Sequence, residues 1–403
     1  GSPEGGAVSD SIDGWVASGF ERVRDEFLRN FHERGEVGAA CAAFVDGGCV
    51  VDLWGGVADP RTGRRWQEDT LVAVFSTSKG IAALVMAMAA SRGYLDYDQP
   101  VAAYWPEFAA NGKADVTVRQ LLGHEAGLSY VEGLTRELLG DPESLAPLLA
   151  AQSPHWPPGT RHGYHALTIG LYESALLRRV DPKARGIHQF LQDEVASPLG
   201  LEFYFGVPDA ISDERIAWVT HRSPRRLLPD LVRLPPRLFF GVLDRRSITG
   251  RTLSSVPGLD VARDIWRPPY RGMEIAAGNG IGQVRSIARF YGEFAAGGTA
   301  LGIDPSVLRD LERPSPPIVG GDLDAVLRTP MRFQLGFSKP SPIWRFGTDD
   351  RAYGTPGAGG SFGVADPTRR VGFAYAPNTM GMRLWDDPRE LALRNAVYEA
   401  ASA

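Results

Sequence analysis

The sequence predicts a fold of the α/β (α+β) class: an antiparallel sheet flanked by N- and C-terminal helices, with an inserted, mostly helical domain. Three observations support this prediction. Short strand pairs surround tight turns near both ends of the chain, a helix accompanies each pair, and helices broken by Pro and Gly fill the middle. The 403 residues are enough to bury a large core.

The N-terminal elements are a helix and a hairpin. The apolar residues of the helix recur at helical spacing: Phe20, Val23, Phe27, Leu28 and Phe31. Two strands follow, at residues 38–45 and 49–54, joined by the turn Asp46-Gly47-Gly48.

The C-terminal elements repeat this combination. Strands at residues 361–365 and 371–376 surround the turn Asp366-Pro367-Thr368. A closing helix runs from Pro388 to about residue 401, with proline at its first position, where a missing backbone N–H costs nothing.

The middle of the chain is mostly helical, with helical patterns at residues 81–92, 118–122, 167–180 and 187–196. We therefore expect residues 8–70 to form an α/β sheet domain together with residues 318–403. Residues 71–317 would form the helical domain beside it.

One segment of the helical domain is unusual. Residues 213–251 contain nine arginines and four acidic residues, interleaved with prolines and apolar residues. One interpretation is a long, solvated insertion whose arginines pair with acids elsewhere. The other is a flap over the active site that supplies an apolar wall for an acyl chain.

Composition excludes several classes of protein. A net charge of -5 argues against nucleic-acid binding, and the longest apolar run, at residues 81–90, is too short to span a membrane. Cys41 and Cys49 would not face each other across the hairpin, so we expect no disulfide and a cytoplasmic protein. Gly1-Ser2 looks like a remnant of cloning, so a leader could have been removed and its absence is weak evidence about localisation. We expect no metal or cofactor, and the sequence does not indicate an oligomeric state.

The motif that predicts chemistry is Ser76-Thr77-Ser78-Lys79, directly before the apolar helix at residues 81–90. At positions i and i+3 the two side chains share one helical face, so Lys79 can take the proton that makes Ser76 a nucleophile. Burial would lower the pKa of the lysine enough for it to act as a base. The backbone N–H of Ser76, at the helix start, can hold a developing oxyanion. S-x-x-K alone is a weak motif, and its context decides.

Further motifs supply that context in a fixed order along the chain. They are Trp54-Gly55-Gly56-Val57-Ala58-Asp59, Leu121-Leu122-Gly123-His124-Glu125-Ala126-Gly127-Leu128, Pro158-Gly159-Thr160-Arg161-His162-Gly163-Tyr164 and Gly354-Thr355-Pro356-Gly357-Ala358-Gly359-Gly360-Ser361. With this set the sequence, from about residue 20 to 400, resembles the serine β-lactamase and penicillin-binding protein superfamily. Within its class C-like branch it is most similar to family VIII carboxylesterases and related acyltransferases. The resemblance implies a β-lactamase/transpeptidase-like fold with the active site between the sheet and the helical domain.

The resemblance assigns roles to individual residues. Ser76 corresponds to the acylated nucleophile, Lys79 to its base, and Tyr164 to the tyrosine that passes the proton to the leaving group. We expect the pKa of Tyr164 to be lowered between two positive groups. The backbone N–H of Ala358 would complete the oxyanion hole with that of Ser76.

Two positions depart from the β-lactamase pattern. Thr355-Pro356-Gly357 stands where those enzymes carry Lys-Thr-Gly, and Ala166 replaces the asparagine of their Tyr-x-Asn element. The cation that would bind the carboxylate of a β-lactam is therefore missing. We expect Thr355 and Gly357 to line a pocket for an uncharged acyl substrate, with His165 contacting it as well.

Two other patterns are misleading. Gly359-Gly360-Ser361-Phe362-Gly363 matches the G-x-S-x-G of α/β-hydrolases, but that fold needs a histidine after its serine and the last histidine here is His221. The residues Gly278-Asn279-Gly280-Ile281-Gly282 lack a G-x-G-x-x-G pattern, and we interpret them as a turn entering a helix at residues 283–294. His155, His162 and His165 are near one another but have no further ligand cluster, so we expect no metal there.

The sequence thus predicts a serine carboxylesterase that cleaves small uncharged esters through an acyl-enzyme on Ser76. Three alternatives stay open: an acyltransferase that passes the acyl group from an ester or thioester to an amine or alcohol, a β-lactamase or DD-peptidase, and a silent ligand-binding member. How well the site excludes water decides between hydrolysis and transfer.

Overall fold

A computed structural model of the chain describes residues 12–221 and 234–402. Within these ranges no helix is long and apolar enough to cross a membrane. The strands, numbered in chain order, are β1 (Ile12–Val16), β2 (Gly38–Val45), β3 (Gly48–Asp59), β4 (Arg64–Arg65), β5 (Val72–Ala73), β6 (Phe203–Tyr204), β7 (Thr220–His221), β8 (Ile281–Gly282), β9 (Phe333–Gln334), β10 (Phe337–Ser338), β11 (Tyr353–Pro356), β12 (Phe362–Asp366), β13 (Val371–Pro377) and β14 (Thr379–Met380).

The helices fall in all parts of the chain, and a π-helical turn, Gln192–Ala196, joins the sixth to the seventh. The α-helices are α1 (Glu21–Glu33), α2 (Ser78–Ser91), α3 (Val118–Leu122), α4 (Pro142–Ala151), α5 (Thr168–Val180), α6 (Ile187–Leu191), α7 (Ser197–Leu199), α8 (Pro236–Leu243), α9 (Ile248–Leu253), α10 (Val261–Asp264), α11 (Val284–Ala295), α12 (Pro305–Glu312) and α13 (Pro388–Ala400).

The main sheet joins the two ends of the chain. Its strand order is β1-β3-β2-β13-β12-β11-β10-β9, with β4 on β3, and every pairing is antiparallel. The N-terminal hairpin meets the C-terminal one where β2 pairs with β13, with Ala42 opposite Ala374. The antiparallel sheet with terminal helices that the sequence predicts is confirmed.

Strand β13 shows how the sheet separates two layers. Val371, Phe373 and Tyr375 pack with the terminal helices α1 and α13, whereas Ala374 and Ala376 belong to the core on the other face. The small residues on that second face let α11 approach closely: a Cβ on Gly372 would lie 2.1 Å from the backbone nitrogen of Gly292.

Helix α2 is the centre of the second layer. Twelve of its fourteen residues are buried, so it is enclosed on all sides, as its apolar sequence from residue 81 predicts. It packs against α5 and against β10 and β11 of the sheet, which places its N-terminus at the junction of sheet and helices.

The predicted helices and strands are present, but β3 continues to Asp59, beyond the predicted end at residue 54. The main sheet also contains strands that the sequence analysis did not identify: β1, β4, β9, β10 and β11. Two further differences concern turns. Residues 278–282, predicted as a turn, include the short strand β8, which pairs with both β5 and β6. Ser361, predicted to begin a strand, lies just before β12 because its carbonyl instead accepts the N–H of Gly357 in a tight turn.

A buried ionic cluster ties the C-terminal helix to the rest of the protein. Arg389, in the first turn of α13, has no exposed surface and donates to Glu36 and Asp387 at 2.9–3.0 Å. It also donates to the carbonyls of Thr379 and Gly359, both at 2.9 Å. One guanidinium thus fixes α13, the segment between α1 and β2, and the loop that contains Ala358.

We predict that Arg389→Met destabilises the protein by about 3–5 kcal/mol, because it removes a buried guanidinium that bonds two buried carboxylates and two carbonyls. Urea unfolding followed by circular dichroism measures this change. The matched control is Arg22→Met, which removes an exposed ion pair between α1 and Glu399 of α13. It should change stability little. Equal losses in the two variants would contradict this account of the cluster.

Candidate active site

The predicted nucleophile lies in a strained turn. Ser76 is in a 3₁₀ turn, Phe75–Thr77, that leads directly into α2. The preceding Phe75 has φ 47°, a left-handed conformation that side-chain-bearing residues rarely adopt and that costs on the order of 1–3 kcal/mol. Strain of this kind persists only where the surroundings hold the backbone in place.

Side chains within the motif supply that support. The hydroxyl of Thr77 lies 2.9 Å from that of Ser361 and donates to the Thr355 carbonyl at 3.2 Å. The hydroxyl of Ser78 accepts the Gly280 N–H at 2.8 Å. Thr77 therefore fixes the turn to the sheet side, and Ser78 fixes it to the helical side. Ser361 has a structural task here, since its hydroxyl also donates to the Val74 carbonyl.

Lys79 lies where the predicted base should be. Its Nζ is 3.0 Å from the Ser76 Oγ, 2.7 Å from the Ala166 carbonyl and 2.8 Å from the Ala277 carbonyl. The side chain is buried, and this burial lowers the pKa of Lys79 to about 7, against an opposing contribution from Glu173. The amine is thus poised between its two protonation states near neutral pH.

Glu173 was not identified from the sequence. It is buried on α5, and among the described residues neither of its carboxyl oxygens has a hydrogen-bond partner. Burial raises the pKa of Glu173 to about 8, and Lys79 opposes this rise. The sequence did contain an indication: Glu173 lies on the same helical face as Ile169 and Leu176, where an apolar residue is expected.

Tyr164 also lies at the site. Its ring centroid is 4.7 Å from the Lys79 Nζ, and the ring stacks on Phe333. The prediction of a lowered pKa is wrong: desolvation raises the pKa of Tyr164, with an opposing contribution from the Ser76 side chain. The prediction assumed two flanking cations, and Thr355 occupies the place of the second.

Asp324 holds Tyr164 in place. One carboxylate oxygen accepts the Tyr164 N–H at 3.1 Å and the N–H groups of Val326 and Leu327 at 2.8 and 2.7 Å. The other lies 2.9 Å from Nδ1 of His162. Asp324 lies in an irregular loop with no sequence periodicity, so no pattern indicated it.

The expected pocket residues are partly brought together. Thr355, Gly357 and Ala358 all line the same cavity as Ser76, Lys79 and Tyr164. The absence of a side chain at Gly80 lets α2 approach α11 and β11 closely. A Cβ there would lie 1.8 Å from the hydroxyl of Tyr291 and 3.0 Å from that of Thr355.

The prediction that His165 lies in the substrate pocket is wrong. This residue does not line the cavity; it is fully buried, its Nε2 accepts the Leu128 N–H at 3.0 Å, and its ring packs against Trp156. The neighbouring histidine is the one that reaches the site. His124 lines the cavity, and its Nδ1 accepts the His165 N–H at 2.9 Å. Within residues 12–221 and 234–402 no three His, Cys, Asp or Glu side chains group as metal ligands would.

The cavity in front of Ser76 has a volume of about 420 Å³ and a mostly apolar wall. Part of this wall comes from the unusual segment at residues 213–251 and from the residues that follow it. The contributing side chains are Leu234, Leu238, Val242, Leu253, Val256, Leu259, Val261 and Ile265. This placement favours the flap over the solvated insertion; residues 222–233 of the segment lie outside the described residues.

The segment after β14 contributes to the cavity too. Met382, Leu384 and Trp385 line it, as does Arg383, which also donates to the Asp386 carbonyl at 3.2 Å. The sequence analysis missed this segment because it carries no motif and reaches the site only through the turn after β14.

Comparison with known proteins identifies the class to which this fold and site belong. The β-lactamase family profile matches residues 24–396. The chain belongs to the β-lactamase family.

Individual relatives agree with this assignment. The esterase/β-lactamase LipL of Mycobacterium tuberculosis is 34% identical over 368 residues, covering 90% of this chain and 81% of LipL. The crystal structure of a family VIII carboxylesterase superposes with a TM-score of 0.82 at 35% identity, covering 97% of this chain and all of the other. A penicillin-binding protein homologue from Caulobacter crescentus has a TM-score of 0.81 at 34% identity, with 97% and 100% coverage.

We predict that kcat/KM for an ester rises with pH through a midpoint near 7, because only the neutral Lys79 amine can take the Ser76 proton. Steady-state rates across a pH series measure this rise of kcat/KM with pH, which we call the acidic limb of the profile. Lys79→Met should lower kcat/KM by about 10²–10⁴-fold. An unchanged rate in this variant would contradict the assignment of the base.

A second prediction concerns Glu173. The ionised form of Glu173 raises the pKa of Lys79, so Glu173→Gln should lower that pKa. Because burial holds the pKa of Glu173 at about 8, its carboxyl is mostly protonated near pH 7, and the acidic limb should move to lower pH by only a small amount. The same pH series measures the shift. Glu125→Gln is the control: Glu125 is partly buried, burial also raises its pKa, to about 7, and it does not line the cavity. If both variants keep the wild-type limb, Glu173 does not act on Lys79.

Proposed function

We propose that the protein is a serine carboxylesterase that hydrolyses uncharged esters through an acyl-enzyme on Ser76. The observation that carries this proposal is the 3.0 Å contact between the Ser76 Oγ and a buried Lys79 Nζ at the end of an apolar cavity. The names of LipL and of the family VIII carboxylesterase support an esterase activity.

The hydrogen bonds of Lys79 suit a base. A neutral amine has two N–H groups and one lone pair. The carbonyls of Ala166 and Ala277 accept the two N–H groups, which leaves the lone pair directed at the Ser76 hydroxyl. Lys79 then takes the hydroxyl proton while Oγ attacks the ester carbonyl.

The remaining steps follow from the neighbouring groups. The N–H groups of Ser76 and Ala358 hold the oxyanion of the tetrahedral intermediate. Tyr164, kept as a neutral phenol by its raised pKa, gives its proton to the departing alkoxide and recovers one from the Lys79 ammonium. Water then attacks the acyl-enzyme by the reverse proton path, which releases the acid and frees Ser76.

The cavity wall supports an uncharged acyl group as the substrate. Most lining side chains are apolar. The uncharged Thr355 stands at the position where β-lactamases carry a cation. An acyltransferase would use the same residues with an alcohol or amine in place of water, so added acceptors form part of the test.

We predict that the protein hydrolyses p-nitrophenyl esters far faster than the β-lactam nitrocefin, because no cation stands at Thr355. Ser76→Ala should lose at least about 10³-fold in ester turnover. A fluorophosphonate should add one phosphonyl group to Ser76, as intact mass and peptide mapping would show.

The results that oppose the proposal are distinct. No adduct on the folded protein would exclude the nucleophile, and nitrocefin turnover equal to that of esters would exclude the ester preference. Product formation that one specific amine or alcohol accelerates, with slow hydrolysis otherwise, would establish the acyltransferase instead.

A further inference from the structure

The helices that roof the cavity also expose an apolar surface to solvent. Of the ten large apolar side chains exposed among the described residues, six lie on α8, α9 and α10. We call these six the roof patch: Phe239, Phe240, Val242, Leu243, Leu253 and Val261. Scattered exposed apolar residues are ordinary, but a contiguous group at a site entrance indicates an interaction surface.

Helix α8 is apolar on two opposite faces. Leu238, on one face, is 6% exposed and lines the cavity. Phe239, Phe240 and Leu243 are 48%, 67% and 64% exposed. Packing of the helix onto the protein therefore explains Leu238, whereas Phe239, Phe240 and Leu243 stay largely exposed among the described residues.

The roof patch borders the cavity on one side. Val242, Leu253 and Val261 line the cavity and are also exposed, so they border its opening. Two buried hydrogen bonds attach α9 to the rest of the protein. Thr249 donates to the Val326 carbonyl at 2.6 Å, and Thr252 donates to the Ser129 hydroxyl at 2.9 Å. Whatever binds the patch thus lies at the entrance to Ser76.

Positive charge accompanies the patch. Residues 234–264, which carry all six side chains of the patch, contain five arginines and three aspartates. Arg237, Arg245 and Arg246 are exposed and form no ion pair with any described residue. Aromatic and aliphatic side chains beside unpaired arginines fit a lipid–water interface, in which the rings enter the acyl boundary and the guanidinium groups meet phosphates.

We propose that the roof patch docks the protein onto an anionic lipid surface, so that an apolar ester passes from that surface into the cavity. Delivery of the ester rests on the proposed esterase function, whereas docking does not. The two parts therefore separate in experiment: Ser76→Ala should lose turnover and keep docking.

Docking is measured by co-sedimentation with phosphatidylcholine vesicles, with and without phosphatidylglycerol. We expect the wild type and Ser76→Ala to bind the phosphatidylglycerol vesicles. Phe239→Ser with Phe240→Ser should weaken binding at least about tenfold, because two rings that enter the lipid on docking are lost. Arg245→Ser with Arg246→Ser should remove at least about fivefold of the preference for the anionic lipid.

The matched control is Val319→Ser with Ile343→Ser, which removes exposed apolar side chains outside the roof patch and should bind as the wild type does. Thermal unfolding and hydrolysis of water-soluble p-nitrophenyl acetate should stay unchanged in the phenylalanine variant. Its hydrolysis of a long-chain p-nitrophenyl ester embedded in vesicles should fall with its binding.

Several outcomes would overturn docking: no binding of the wild type, wild-type binding by the phenylalanine variant, or an equal loss in the control. Sedimentation equilibrium separates one more case. If the phenylalanine variant turns a wild-type dimer into a monomer and neither binds vesicles, the patch joins two copies of the chain and the lipid proposal is wrong.

Discussion

The contact of Lys79 with three oxygen atoms is the constraint on which the site depends. A buried amine needs partners for its N–H groups, and the loops before α5 and β8 supply the Ala166 and Ala277 carbonyls. Both loops must therefore lie beside α2, on the face that packs against the other helices. The third contact, to Ser76, then falls at the point where the sheet meets the helices.

On the sheet side, the site is held by hydroxyl groups and by one buried guanidinium. Thr77, Thr355 and Ser361 join the turn before α2 to β11 and to the residue preceding β12, while Arg389 holds the Gly359 carbonyl in the same loop. The strained residue Phe75 lies between these supports. The rigidity of the site thus comes from bonds that reach across the whole chain, from Glu36 to the first turn of α13.

Much of this was predictable from the sequence because it depends on local spacing. The i,i+3 relation of Ser76 and Lys79, the strand alternation near both termini and the apolar run of α2 are all local patterns. Glu173 and Asp324 depend on contacts with distant residues, so their functions appear only when α5 and the loop after α12 are placed. The predictions of a lowered Tyr164 pKa and of a substrate contact by His165 failed for a related reason. The first assumed a second nearby cation and the second assumed a place in the substrate pocket, and adjacency in sequence specifies neither.

The protonation state of Lys79 is the central claim, and the composition makes it directly measurable. The chain has four lysines, at positions 79, 113, 183 and 339, so a ¹³C-lysine-labelled sample should give four resolved side-chain signals in NMR. Lys79→Met identifies the signal of interest by its loss, and Lys339→Arg separates it from Lys339, whose pKa burial also lowers to about 7. The account predicts that the Lys79 signal titrates with a midpoint near 7. A Lys79 that stays an ammonium throughout the alkaline range would contradict it, since such a group cannot take the proton of Ser76.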